Sequence, residues 1–243
     1  MQLQVDVIAS IGEARAVDLN QHTVIVIDVL RATSTIITAL ANGAASVLPV
    51  ETVGQARQQY AEGDVLGGER FCKKIAGFDL GNSPHEYTSS LCLNKRIVLT
   101  TSNGTRAIQK AVRAEHVLAG AFLNASACAQ LALSLRRNVA LLCTGTQDAF
   151  AFEDALCAGM ILHEMIADHQ AGMIITNDLG MLALSAYKQH KGHIHDAVRQ
   201  SSSGKRLLKL GFGDDVEYCS LTNQVHLVPT LHEHLLIPHR QSS

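Results

Sequence analysis

The segment 23–35 ends an apolar run with side chains that can do chemistry on an anion. The run closes at Asp28, Arg31 follows it, and hydroxyl residues centred on Ser34 come next, before a helical pattern that Gly43 closes. A carboxylate can bind a metal ion or accept a proton, and a guanidinium binds oxyanions through two parallel hydrogen bonds. Backbone N–H groups at the helix start add a preference for negative charge. A plain capping role for Asp28 is the simpler alternative, because Asp is a common N-cap residue.

Three further carboxylates occur at comparable places in the chain. Glu69 follows two glycines at the end of a short strand, with Arg70 beside it, and Glu153 and Asp154 occupy the predicted first turn of a long helix. Together with Asp28 they are candidate oxygen ligands for Mg²⁺, which prefers one or two carboxylates with water and phosphate. The helix dipole alone also favours acidic residues in a first turn, so that pair has an equally good structural explanation.

Two loops rich in glycine and hydroxyl groups can donate backbone hydrogen bonds to an anion. Asn103, Gly104 and Thr105 stand at the start of a predicted helix, and Gly145 lies between two threonines after a buried strand. A permissive glycine beside hydroxyl groups at a helix start suits a phosphate or sulfonate. A tight turn with a threonine cap would have the same sequence pattern.

Alternating strands and helices would carry these residues. The order buried strand, polar loop, helix recurs in three stretches, 24–43, 96–114 and 139–168. Because the carboxyl ends of parallel strands meet at one edge of a sheet, the three loops can converge on one site. Further strands are predicted at 5–8, 45–50, 117–121 and 225–228, and residues 71–88 are predicted to form a binding loop.

This alternation predicts the fold class and the place of the site. We expect an α/β fold, layered α/β/α, with a largely parallel or mixed sheet and the active site at the C-terminal ends of the strands. Residues 1–243 would form a single α/β domain, or two closely packed α/β subdomains.

Composition excludes several classes of function. Hydrophobic residues make up 47% of the chain and charged residues 17%, which rules out a disordered protein. A formal charge of −2 and 4% aromatic residues favour neither nucleic acid nor an anionic membrane as a partner. Six cysteines without a CxxC pair are typical of reduced thiols, and no leader or spanning segment is apparent, so we expect a cytoplasmic protein. The sequence identifies no oligomer interface and allows a homo-oligomer.

Several phosphate-handling signatures are absent from the sequence. It contains no P-loop and no GxGxxG motif after a strand, which disfavours a nucleotide-dependent enzyme, and no HExxH zinc motif. No cysteine is followed six positions later by arginine, as in cysteine-dependent phosphatases. Leu30 stands where a phosphatase of the haloacid dehalogenase type would have its second aspartate.

Five motifs nevertheless occur in order along the chain: VIDVLRATST around Asp28, GGER around Glu69, GFDLGNSP at 77–84, TTSNGT at 100–105 and EDALCAG from Glu153. In this order and spacing they resemble the 2-phosphosulfolactate phosphatase family, over nearly the whole chain. The resemblance implies a Mg²⁺-dependent phosphatase that hydrolyses (R)-2-phospho-3-sulfolactate to 3-sulfolactate and phosphate, a step toward coenzyme M in methanogens.

This chemistry suggests a role for each candidate residue. Asp28 and Arg31 are predicted to be catalytic, with Asp28 a metal ligand or the base for metal-activated water; an aspartyl phosphate on Asp28 stays open. The predicted Mg²⁺ ligands are Asp28, Glu69, Glu153 and Asp154. The predicted substrate-binding residues are Ser34, Arg70, Asn82, Ser83, Asn103, Gly104, Thr105 and Gly145.

Two alternatives stay open at this stage. The enzyme could act on another small phosphorylated acid, because such homologues also occur where coenzyme M is not made. The chain could also be a non-catalytic binder of a small anionic metabolite, which would keep the glycine loops and the arginines. Such a binder has no use for clustered carboxylates, so the residues favour the phosphatase.

Overall fold

The structure is a computed structural model that describes residues 2–146, 149–168 and 172–239, which form eleven strands and ten α-helices. The strands are β1 (Gln2–Ile8), β2 (Thr23–Ile27), β3 (Ser46–Pro49), β4 (Val65–Arg70), β5 (Lys73–Lys74), β6 (Arg96–Thr100), β7 (His116–Gly120), β8 (Val139–Cys143), β9 (Met173–Ile175), β10 (Pro229–His232) and β11 (Leu235–Pro238). The helices are α1 (Ala32–Ala41), α2 (Val53–Gln59), α3 (Ser89–Cys92), α4 (Gly104–Ala111), α5 (Ala125–Ser134), α6 (Phe152–Ala167), α7 (Asp178–His190), α8 (Ile194–Gln200), α9 (Ser202–Lys209) and α10 (Gly213–Cys219). Among these helices, none is both long and apolar enough to span a bilayer.

All the strands belong to one sheet, in the order β5-β4-β6-β3-β11-β10-β7-β2-β8-β1-β9. The neighbours in β4-β6-β3 and in β7-β2-β8-β1-β9 are parallel. The β10–β11 hairpin lies between these two sets and is antiparallel to both β7 and β3. The predicted α/β class with a largely parallel, mixed sheet is therefore confirmed.

Strand β2 lies deep in this fold because both of its faces are apolar. All five of its residues are buried. Val24 and Val26 pack into a core with Ile36 of α1, whereas Ile25 and Ile27 pack into a second core on the other side of the sheet. The second core contains side chains of α5 to α10. Helices therefore cover both faces of the sheet, as a layered α/β/α arrangement requires.

The hairpin changes where the strand ends lie. Three successive antiparallel pairings separate β3 from β7, so the two parallel sets run in opposite directions along the sheet. The carboxyl ends of β2 and β8 therefore lie at one edge of the sheet and that of β6 at the other, whereas all three were expected at one edge. The loops still meet, because the start of α4 lies against the start of α1: a Cβ atom on Gly104 would come within 2.4 Å of the Ala32 Cβ.

The expected strand over 225–228 is wrong. These residues form no strand, and β10 begins at Pro229, the residue that was expected to end the strand. Proline is tolerated as the first residue of a strand, where its missing N–H disrupts no ladder. Strand β9 and helix α10 were not predicted, because both are short. The expected binding loop 71–88 is confirmed as largely irregular, with only the two-residue β5 and a single 3₁₀ turn at Pro84–Glu86.

Candidate functional site

A cavity of about 110 Å³ lies where the loops after β2 and β8 meet the end of β4 and the loop after β6. Helix α9 provides a further part of its wall. The lining residues are Asp28, Leu30, Arg31, Glu69, Phe71, Cys72, Asn82, Thr101, Ser102, Asn103, Thr146, Ser203, Arg206 and Leu207. The cavity thus contains both residues that the sequence predicted to be catalytic.

Asp28 follows β2 directly and is buried. Its Oδ1 accepts a hydrogen bond of 3.2 Å from the backbone N–H of Ala32, in the first turn of α1. Burial raises the pKa of Asp28 to about 6, and the negative charges of Glu69 and Glu153 add to this rise. The capping explanation is therefore correct in part, but a cap alone does not account for a buried carboxylate with two others close by.

Asp154 connects the loops that follow β2 and β8. Its Oδ1 accepts a hydrogen bond of 2.9 Å from the Val29 N–H, and its Oδ2 accepts one of 3.1 Å from the Gly145 N–H. Burial holds the pKa of Asp154 well above its usual range, and neighbouring carboxylates contribute. The Gly145 N–H that was predicted to bind substrate is thus already bonded within the protein.

Glu69 makes the same kind of connection between β4 and β6. Its Oε1 accepts a hydrogen bond of 2.8 Å from the Ser102 N–H, and its Oε2 accepts one of 2.7 Å from the Cys72 N–H. The side chain is buried. Both of its oxygens therefore hold the backbone around the cavity.

Glu153 differs from these two carboxylates because one of its oxygens is free to bind a ligand. Its side chain is buried, and Oε2 has no hydrogen-bond partner among the described residues. The buried amide Oδ1 of Asn82 is in the same state. Because buried polar atoms normally have a partner, these two oxygens indicate positions for water, a cation or a ligand.

The donor set fits a hard cation such as Mg²⁺, but with fewer protein ligands than predicted. Within the described ranges, no three His, Cys, Asp or Glu side chains converge as a complete metal site. Mg²⁺ commonly takes one or two carboxylates and completes its shell with water and phosphate. Asp28 and Glu153 are the carboxylates that best meet this need, since Glu69 and Asp154 use both oxygens for hydrogen bonds within the protein.

Arg31 lines the cavity in an orientation fixed by its partners. Its Nη1 lies 2.5 Å from a carboxylate oxygen of Asp215 in α10. Its guanidinium carbon lies 4.4 Å from the ring centre of Phe212, which is a cation–π distance. The Ser83 hydroxyl donates a hydrogen bond of 2.6 Å to the other oxygen of Asp215. Ser83, predicted to bind substrate, therefore acts on Asp215, which in turn holds Arg31.

Three other predicted substrate-binding side chains form bonds within the scaffold. Arg70 donates to two backbone carbonyls and to the Thr100 hydroxyl at 2.7–2.9 Å. The Ser34 hydroxyl donates to a carbonyl at 2.8 Å, and Thr105 exchanges hydrogen bonds with Thr101. None of the three is among the described residues that line the cavity. Their predicted substrate contacts therefore find no support in this arrangement.

Two predicted substrate-binding residues, Asn82 and Asn103, do line the cavity. Asn103 precedes α4, and its side chain makes no capping hydrogen bond. Gly104 allows close approach, because a Cβ atom there would lie 2.8 Å from Asp28 Oδ2. The start of α4 is thus placed directly against the catalytic candidate Asp28.

Four residues at or near the cavity that the sequence did not predict come from the segment after residue 200. Asp215 and Phe212 hold Arg31, while Ser203 and Arg206 line the cavity. These residues lie in or next to the short helices α9 and α10, which have eight and seven residues. The acidic pair at 214–215, just after a glycine, is the one local signal of a helix start there.

The comparisons with known proteins agree with the five motifs. A sequence model of the 2-phosphosulpholactate phosphatase family matches residues 10–234, which include every residue that lines the cavity. A probable 2-phosphosulfolactate phosphatase from Thermotoga petrophila is 42% identical over 213 residues, covering 86% of this chain and 89% of that protein. Proteins of the same name from Symbiobacterium thermophilum and Clostridium novyi are 40% and 37% identical, over 90% and 95% of this chain and 94% and 97% of their own lengths. The chain belongs to the 2-phosphosulpholactate phosphatase family.

Proposed function

We propose that this protein is a Mg²⁺-dependent phosphoric monoester hydrolase that converts (R)-2-phospho-3-sulfolactate and water to 3-sulfolactate and inorganic phosphate. The observation that carries the proposal is the buried Asp28 carboxylate, which shares a small cavity with Arg31 and has Glu69 and Glu153 close by. The family and the names of the relatives support the reaction and the substrate. The step toward coenzyme M that the resemblance implies is part of the same proposal.

Asp28 and Glu153 would hold Mg²⁺ in this site. The ion, when bound, would offset the negative charge of the phosphoryl group during its transfer. The raised pKa of Asp28 supports this assignment, because carboxylates that repel one another gain from a nearby cation. Glu69 and Asp154 would keep the surrounding loops in place through their hydrogen bonds to backbone N–H groups.

Asp28 and Arg31 would divide the chemical work. The ionised Asp28 carboxylate takes a proton from the attacking water as the water oxygen bonds to phosphorus. The bond between phosphorus and the ester oxygen breaks, and that oxygen takes a proton from solvent water to become the hydroxyl of the product. Asp28 then returns the proton that it accepted to the solvent. Arg31 orients the oxyanion, and its ion pair with Asp215 prevents the guanidinium from turning away.

The proposal also includes a cytoplasmic location. All six cysteines are free thiols in the described structure, and all but Cys72 are buried. Thiols in this state are typical of a reducing compartment.

The test is phosphate release from racemic 2-phosphosulfolactate by the purified protein, with Mg²⁺ and with excess EDTA. We expect release of at most half of the phosphate, because only one enantiomer is hydrolysed. With excess EDTA we expect no release. Asp28→Asn is the inactive control. Release that is unaffected by EDTA would contradict the metal assignment.

A panel of phosphate monoesters, including 2-phospholactate, distinguishes the alternatives. Release from other small phosphorylated acids, but not from 2-phosphosulfolactate, would keep the reaction and replace the substrate. A folded protein that binds phosphate and hydrolyses none of these esters would be the non-catalytic binder.

A further inference from the structure

Four charged side chains line the cavity, and only one of them lacks a protein partner among the described residues. Arg31 is paired with Asp215, Glu69 accepts two backbone hydrogen bonds, and Asp28 accepts one. Arg206 makes neither a hydrogen bond through its guanidinium nor an ion pair within the described residues. The cavity wall therefore carries one positive charge that no carboxylate of the described structure compensates.

Helix α9 fixes the backbone at Arg206 in that wall. The Ser201 hydroxyl caps the helix by accepting a hydrogen bond of 3.0 Å from the Gly204 N–H. The Ser203 hydroxyl lies 3.2 Å from that of Thr146 in the loop after β8, and both residues line the cavity. Leu207 anchors the next position in the apolar core. The backbone of α9 at Arg206 is therefore part of a built wall, and the half-buried Arg206 side chain lines the cavity from it.

Arg206 and Arg31 both act on the turn at Cys72. Burial raises the pKa of the Cys72 thiol, and the charge of Arg206 opposes this rise more strongly than that of Arg31. The Cys72 carbonyl accepts a hydrogen bond of 3.4 Å from Arg31 Nη2, and its N–H donates one of 2.7 Å to Glu69. The two arginines thus serve the same part of the cavity wall, but Arg31 is bonded to Asp215 whereas Arg206 has no partner among the described residues.

We propose that Arg206 sets the substrate specificity by binding the acidic group of the substrate that is not hydrolysed, a carboxylate or a sulfonate. The inference rests on the proposed function, since it assumes that the phosphate lies near Asp28 and Arg31. A planar guanidinium binds carboxylate and sulfonate oxygens through paired hydrogen bonds. A monoester with a neutral tail would leave Arg206 without a partner, so the site selects phosphorylated acids.

The two products of the reaction distinguish binding of the acidic group by Arg206 from binding of the phosphate near Asp28 and Arg31. Binding of 3-sulfolactate and of inorganic phosphate, each with Mg²⁺ present, is measured by titration calorimetry for the wild type and for Arg206→Gln. We expect the Kd of 3-sulfolactate to rise about 10- to 100-fold and the Kd of phosphate to change less than about twofold. Arg206→Lys, which keeps the charge without the planar fork, should give an intermediate Kd for 3-sulfolactate.

Lys205→Gln is the matched control. It removes the same charge from an exposed neighbour on α9 and should leave both Kd values unchanged. Equal weakening of both anions in Arg206→Gln, unchanged binding of both, or a wild type that binds phosphate but not 3-sulfolactate would each overturn the inference. A wild type that releases no phosphate from any monoester would refute the hydrolase, whereas the binding data would still decide the role of Arg206.

Discussion

Arg31 and Asp215 form an ion pair of 2.5 Å across 184 positions of sequence, and each side chain is only 3% exposed. Ser83 supplies a second hydrogen bond to the same carboxylate. The pair fastens α10 to the loop after β2. A helix far along the chain therefore determines where the guanidinium of the proposed active site points.

Asp215→Asn should damage both stability and activity. The substitution leaves the Arg31 charge buried without its counterion, which typically costs about 3–5 kcal/mol of folding free energy. We expect a lower urea midpoint and a fall in kcat/KM that exceeds the fraction of unfolded protein. Asp214→Asn, at the exposed neighbouring position, is the control and should change neither value. Normal kcat/KM in Asp215→Asn would show that the pair does not position Arg31.

Asp28→Asn should make the protein more stable at neutral and alkaline pH and less active. The folded-state pKa of Asp28 is about 6 and its ordinary value is 3.8, so ionising this carboxyl costs stability as the pH rises through that interval. The cost is absent at pH 3 and complete above pH 7, where it is on the order of 3 kcal/mol. In EDTA we expect a higher Tm for the variant at pH 8 and nearly equal Tm values at pH 3.

The same substitution should lower the activity. The kcat of Asp28→Asn should fall by roughly 100- to 10,000-fold, as for loss of a general base. In the wild type with Mg²⁺, kcat/KM should decrease as acid protonates Asp28, with a midpoint below the metal-free pKa of about 6, because the bound cation favours the ionised carboxylate. Variant and wild-type Tm values that differ equally at both pH values would argue against a raised pKa.

Glu153→Gln should weaken the binding of Mg²⁺. Its Oε2 is a buried oxygen without a partner among the described residues, and amidation removes its charge. Mg²⁺ should raise the Tm of the wild type, and the concentration needed should increase about tenfold or more in the variant. Glu164→Gln, further along α6, is the control because its carboxylate bonds to Ser126. Identical magnesium titrations for wild type and Glu153→Gln would remove this residue from the metal site.

Gly104→Ala should reduce activity more than stability. The new Cβ would lie 2.4 Å from the Ala32 Cβ and 2.8 Å from Asp28 Oδ2, so either α1 or the carboxylate must move. A shift of about 1 Å in a catalytic group can cost about 100-fold in rate. Overpacking should lower stability by about 1–3 kcal/mol. Gly192→Ala, where no atom lies within 4 Å of the new Cβ, is the control for both measurements.

Local patterns predicted the strands and helices that carry the carboxylates. The buried run of β2, the polar loop and the apolar face of α1 are contiguous, so hydrophobic periodicity was sufficient to place Asp28 and Arg31 at the cavity. The same holds for Asn103 after β6. The orientation of side chains was less predictable: Arg70 turns to Thr100 and to a carbonyl of Glu51, contacts that arise only from tertiary packing.

Three other features could not be predicted from local sequence. Asp215 acts through a partner far away in sequence, and α10 has only seven residues, too few for a clear periodicity. Pro229 was expected to end a strand but begins one, because its missing N–H disrupts no ladder hydrogen bond at the first residue of a strand. The insertion of the β10–β11 hairpin between two parallel sets likewise depends on long-range pairing.

That hairpin has a consequence for synthesis on the ribosome. Every other strand of the sheet precedes residue 229, yet β3 and β7 are joined only through residues 229–238. A nascent chain that has not reached these residues must present two unpaired strand edges at once. Such edges readily recruit foreign strands, so the interval before the hairpin is made is when this protein is most exposed to aggregation.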